Sequence, residues 1–167
     1  CSGGGLPAIW TAIALDLEGQ RDEAAELSTR AVKLLATRAG ETYPATGLTM
    51  AIASLLDARA GRKHQATERI GLSRTRLDAL DTCAPWFRAL GLVTLIRTCL
   101  LLDDAQTASD LLGQLELSMV IQDGTTPFAR HVDDLRDRVR AANELRTERL
   151  WSLTAAELRV AQYLPTN

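Results

Sequence analysis

Three short stretches of this chain are variants of one another: "GQRDEAAEL" from Gly19, "GRKHQATER" from Gly61 and "DDAQTASDL" from Asp103, with starts 42 residues apart both times. A recurrence of that length constrains the fold more than any other property of the sequence. It implies one structural unit used repeatedly rather than a single irregular core. The match extends to packing positions. Ala24, Ala66 and Ala108 each fall five residues after the start of the turn, where a small side chain lets two helices approach closely, and small residues follow at Ala25, Thr67 and Ser109.

The unit is expected to be a helical hairpin. Strand-like alternation is scarce, aromatic residues make up 4% of the chain, and abundant Ala, Leu, Arg and Glu favour helix. Pro7, Pro44, Pro85 and Pro127 each open a helical stretch, a position where the missing proline N–H costs nothing. First helices are expected over Pro7–Glu18, Pro44–Ala60, Pro85–Leu102 and Pro127–Arg149, and returning helices over Arg21–Thr37, Lys63–Leu80 and Ala105–Met119. Each carries one apolar stripe, as in Leu27, Ala31, Leu34 and Leu35, or Leu111, Leu112, Leu115 and Met119. A lone hairpin cannot bury such a face, whereas stacking does. The fold class is therefore all-α, an α-solenoid of about three and a half hairpins. From Leu6 to about Met119 the small-residue and turn positions resemble tetratricopeptide-type repeats, with a unit longer than their usual length of about 34 residues. The residues also leave a non-repetitive helical bundle open.

Four regions are expected: residues 1–5 as a flexible lead-in or cloning scar, 6–123 as the repeat domain, 124–150 as a capping or linker helix, and 151–167 as the start of something else. In the third, Phe128, Val132, Leu135, Val139 and Ala142 make a narrow seam spaced alternately four and three apart. Such a seam can cap the last repeat, the reading favoured here, or pair with its copy in a homodimer. Asp134 and Arg138 form an i,i+4 pair. In the fourth, Thr154 and Glu157 have the spacing of a capping box, with Leu153 and Leu158 at the staple positions. A helix is expected to begin after Thr154 and to stop at Pro165.

"LTAAELRVAQYLPTN", Leu153 to Asn167, resembles the first helix of the helix-turn-helix domain of LuxR-type transcriptional regulators, whose pattern Leu153, Thr154, Glu157, Val160 and Leu164 match. The resemblance covers about 15 residues. It implies that the chain is a piece of a longer protein in which a helical-repeat region directly precedes the DNA-binding domain. The supporting and recognition helices would lie beyond Asn167, so no residue of this chain is assigned a base contact, and DNA would be reached only through that missing domain.

Composition supports that division of labour. Nineteen basic and 21 acidic residues give a net charge of −2, which is not the positive field of a body that grips phosphates. The three cysteines, Cys1, Cys83 and Cys99, are odd in number and far apart, which argues against a disulfide framework or a zinc site and fits a reducing cytoplasm. The apolar run "LGLVTLIRTCLLL", Leu90 to Leu102, is short and interrupted by Arg97, so it reads as buried helix rather than a membrane span. No phosphate loop, nucleophile elbow or paired-histidine zinc motif occurs. An enzyme is therefore not expected, nor any cofactor or metal. His64 and His131 are solitary, with His64 in an exposed turn. Asp103 and Asp104 are expected to cap the following helix.

Four residues are candidates for a ligand or partner groove. Trp10 and Trp86 sit near the starts of first helices, which line the concave face when such hairpins stack; core packing is the simpler role for both. Arg97, a guanidinium among leucines, needs a carboxylate partner or an opening to solvent. Arg88, on the same helix, is a candidate to join it in recognising an acidic ligand. The functional expectation is a sensor or protein-interaction region of a LuxR-type regulator that binds an effector or partner. The alternative is a free-standing adaptor presenting a peptide-binding groove.

Overall fold

A computed structural model describes residues 5–38, 45–78, 85–121 and 129–162. The described residues form seven α-helices: α1 (Gly5–Leu17), α2 (Arg21–Arg38), α3 (Ala45–Arg59), α4 (Lys63–Asp78), α5 (Pro85–Leu101), α6 (Ala105–Ile121) and α7 (Ala129–Gln162). The all-α reading holds, as does the arrangement in hairpins α1–α2, α3–α4 and α5–α6. Pro44, Pro127 and Phe128 lie outside the described residues, as do the side chains of Leu34, Leu35 and Met119.

The three turns share one geometry. Gly19, Gly61 and Asp103 have φ of 86°, 75° and 61°, the left-handed conformation that ends helices. At each, the following N–H reaches back to close the helix: Gln20 to the Leu15 carbonyl (2.9 Å), Arg62 to that of Asp57 (2.9 Å) and Asp104 to that of Cys99 (3.0 Å). The companion bonds run from Gly19, Gly61 and Asp103 to the Asp16, Ala58 and Leu100 carbonyls. Together they make the Schellman motif three times over. The Asp104 carboxylate then accepts from the Thr107 N–H (3.1 Å), so it caps α6 as expected. Ala24, Ala66 and Ala108 are all buried, which places the small residues of the repeated turn at helix contacts.

Packing sorts the helices into two rows. The first helices α1, α3, α5 and the N-terminal half of α7 are successive neighbours, while the returning helices have no comparably extensive contact with one another. Asp16 near the end of α1 even meets Arg97 of α5, past the intervening α3. The array therefore curls with the first-helix row on its inside. α5 is the centre of the core: every residue from Ala89 to Ile96 is buried, as fits a helix that is apolar on all sides. α4 approaches it closely because Gly91 has no side chain; a Cβ there would lie 2.5 Å from Leu77 Cδ1. Buried hydroxyls on this row are satisfied locally, Thr94 by the Leu90 carbonyl and Thr98 by the Thr94 carbonyl.

α7 departs from expectation. Two helices are expected, one ending near Arg149 and one starting after Thr154, but the backbone is a single 34-residue helix through both positions. The physical reason is that no Gly or Pro separates them, and a capping box acts only where a helix starts. Its N-terminal half caps the last hairpin, with Val132, Leu135 and Val139 buried in the same core as Leu95, Leu111 and Leu115. Beyond Ala142 the helix runs along the α5–α6 turn, where Arg146 donates to Gln106 Oε1 (2.8 Å) and Leu145, Arg149 and Leu150 border a depression with Leu100, Asp103 and Ala105. Leu145, Leu150 and Trp151 are largely exposed.

Candidate functional site

A line of charged side chains crosses the first-helix row, one or more from each helix. Asp16 lies three residues before the turn glycine of α1, inside the apolar stretch "AIALDLEG". Its carboxylate is almost fully buried and accepts from Arg59 at the end of α3 through Oδ1 and from Arg97 in α5 through Oδ2. Arg97 is also nearly buried, its side chain 17% exposed. A carboxylate removed from water is tolerable only when paired in this way. Its two oxygens are thereby spoken for.

The charge balance around Arg97 is uneven. Burial holds its guanidinium below the ordinary arginine range, Asp16 acts the other way, and Arg59, Arg138 and Arg21 add repulsion. Arg97 lines two depressions. One, with Asp16, Arg59, Ala12, Ile52 and Val93, lies between α1, α3 and α5. The other is a notch of about 70 Å³ between α5 and α7, bounded by Val93, Arg97, His131, Asp134, Leu135 and Arg138. Arg138 sits 3.7 Å from Asp134, the expected i,i+4 pair, and both are largely solvated.

A second buried carboxylate, Asp57, occupies the far side of α3. Arg62 donates to its Oδ1 through Nε (2.8 Å), and Arg69 Nη1 stands 2.6 Å from Oδ2. This cluster ties the α3 end to α4 and is structural, since all three groups are turned on one another.

The predicted groove residues are divided by the structure. Arg97 has the carboxylate partner that its position demanded. Arg88 does not join it: nine residues apart on one helix is about two and a half turns, so Arg88 faces α6, donating to Ser118 Oγ (2.7 Å), and approaches Asp78 at the end of α4. That pairing of Arg88 with Arg97 is corrected by helical geometry. Trp86, about three turns before Arg97, shares its face and is half-exposed at 43% rather than packed in the core. The side chain of Trp10 lies outside the described residues, as do those of Leu153, Thr154 and Val160, and Leu164 falls outside them entirely. Leu153, Thr154, Glu157 and Val160 are helical in backbone, and Glu157 is exposed.

The sequence reading missed Asp16, Arg59 and Arg138 as neighbours of Arg97. For Asp16 the signal was present, a charge inside an apolar run, the same sign that marked Arg97. Among the described residues no group of three or more His, Cys, Asp or Glu could hold a metal ion, and no helix is long and apolar enough to cross a membrane. Comparison with known proteins gave no matching family model, no matching curated protein and no matching solved structure.

Proposed function

We propose that this chain is the sensor or interaction region of a LuxR-type transcriptional regulator, built from tetratricopeptide-like hairpins and working in the cytoplasm. On this reading an effector or partner occupies the first-helix row around Arg97, and the response leaves through α7. The observation that carries it is the dual character of α7. Its first half is locked into the hairpin core by Val132, Leu135 and Val139, and its second half, largely exposed and touching the hairpins at the α5–α6 turn, carries the LuxR-like segment on the same unbroken helix. Arg97 and Arg138, on α5 and α7, border one notch, so whatever binds there touches both the sensing row and the output helix. Transmission is then a shift between two arrangements of α7 on the hairpins, driven by a ligand that binds one of them better.

The test is made in a protein that carries this region with its DNA-binding domain. Deleting residues 6–119 should change promoter occupancy and the transcriptional response; an unaltered response sinks the coupling. Binding of a partner to the hairpins that persists after removal of residues 151–167 and has no effect on DNA binding would favour the adaptor.

A further inference from the structure

We propose that the notch between α5 and α7 is a binding site for the oxyanion of a small acidic ligand, a carboxylate or a phosphate, held by Arg97 and Arg138 with His131 beside them. The inference rests on the reading that the first-helix row receives an effector, and adds the chemistry of that effector. Three observations carry it. Among the described residues, the notch is bordered by two guanidiniums and an imidazole against one carboxylate, Asp134. Asp16, the carboxylate paired with Arg97, has its two oxygens engaged by Arg59 and Arg97, so it is not available to balance Arg138. Arg97 meets the Asp16 carboxylate through one terminal nitrogen and its carbonyl, at 3.5 Å, through the other, but that carboxylate is shared with Arg59, so one negative charge faces two guanidiniums and leaves the cluster net positive.

Size and lining narrow the ligand further. About 70 Å³ admits one oxyanion group and little more, and the walls from Val93 and Leu135 are apolar, so the remainder of the ligand must lie outside along the row. Guanidinium is the donor suited to planar or tetrahedral oxyanions, because its N–H groups form a fixed fork. The Asp134–Arg138 pair, 3.7 Å apart and solvated, is a weak internal contact that an incoming anion can displace.

The arginine Nε–Hε signals of the 167-residue chain report on this directly. Inorganic phosphate and succinate are titrated separately at constant ionic strength, with sodium chloride as the reference. Either anion should shift the Arg97 and Arg138 signals along a saturating curve. Phosphate alone saturating assigns a phosphorylated ligand, and succinate alone a carboxylic acid. Arg138→Gln should weaken that binding at least tenfold, Asp134→Asn should tighten it severalfold, and Arg140→Gln, at an exposed position on the same helix, should leave it unchanged. Shifts that merely follow sodium chloride, or equal binding by Arg138→Gln, would overturn the site. The transmission reading fails separately: saturable binding in the notch with the backbone amides of residues 142–152 unmoved keeps the anion site and removes α7 as its output.

Discussion

Asp16 and Arg97 show how much can depend on a single buried contact between residues remote in sequence. Replacing Asp16 by Ala leaves the largely buried Arg97 guanidinium without its carboxylate, and breaking a buried pair from one side typically costs about 3–5 kcal/mol. Replacing both at once, as Asp16→Leu with Arg97→Met, removes the stranded charge, so urea denaturation should show the double variant more stable than Asp16→Ala. Cys99 makes a different prediction. It is fully buried, and burial, with Asp104 adding to it, pushes its thiol up to about 12 from an ordinary value of 9.0. The unfolded chain releases this proton from about pH 9, whereas the folded chain keeps it. Stability from this group is therefore complete below pH 9 and falls with slope about 1.4 kcal/mol per unit between 9 and about 12. Cys99→Ala should flatten that part of the stability–pH curve, and the wild-type thiol should resist alkylation at pH 8 until the protein unfolds.

At the scale of the helix, the turns and α7 behave in opposite ways. The turns are local: two glycines and one aspartate take positive φ because a Schellman motif requires it, and the requirement was visible in the sequence as a recurring Gly or Asp. Asp103 at φ 61° adopts that conformation at a cost that glycine escapes. Asp103→Gly should raise stability by about 0.5–1 kcal/mol, and Gly61→Ala should lower it by a similar amount, both read from denaturation midpoints. α7 is not local. The capping box at Thr154 and Glu157 is well formed as a sequence pattern, yet the backbone runs helically through it, because helical residues on both sides leave no terminus to cap. Thr154→Ala tells the two apart by sign. In an unbroken helix alanine improves propensity by about half a kcal/mol and helicity by circular dichroism should rise slightly. Were Thr154 a helix start in solution, the same change would cost about 1 kcal/mol.

For the molecule as a whole, the order of contacts matters more than any one of them. Each hairpin packs on its neighbours, α5 joins α3, α4, α6 and α7, and the seam of α7 closes the end of the array. Leu135 is buried there at 2% exposure, and Leu135→Ala should cost about 2–5 kcal/mol. Because arrays of this kind draw their stability from nearest-neighbour interfaces, the loss should be concentrated at one end. Amide exchange should accelerate first in α7 and α6 and last in α1 and α2; uniform acceleration would mean a single indivisible core.

The sequence alone determined the helices of the three hairpins, because helix propensity, apolar stripes and turn residues act within a few positions of one another, but it placed a break in α7 that the backbone does not have. It marked the hairpins, their joints, the seam of α7 and the buried status of the run around Arg97. It did not determine which carboxylate Arg97 meets, since Asp16 is 81 residues away and sequence spacing carries no information about contacts across stacked units. Nor did it reveal that Arg88 and Arg97 face opposite ways in use, although helical periodicity held the clue. The notch of Arg97, Arg138 and His131 exists only because the array curls and α7 folds back on it. That is a property of packing between units, whose free energy no stretch of chain contains by itself.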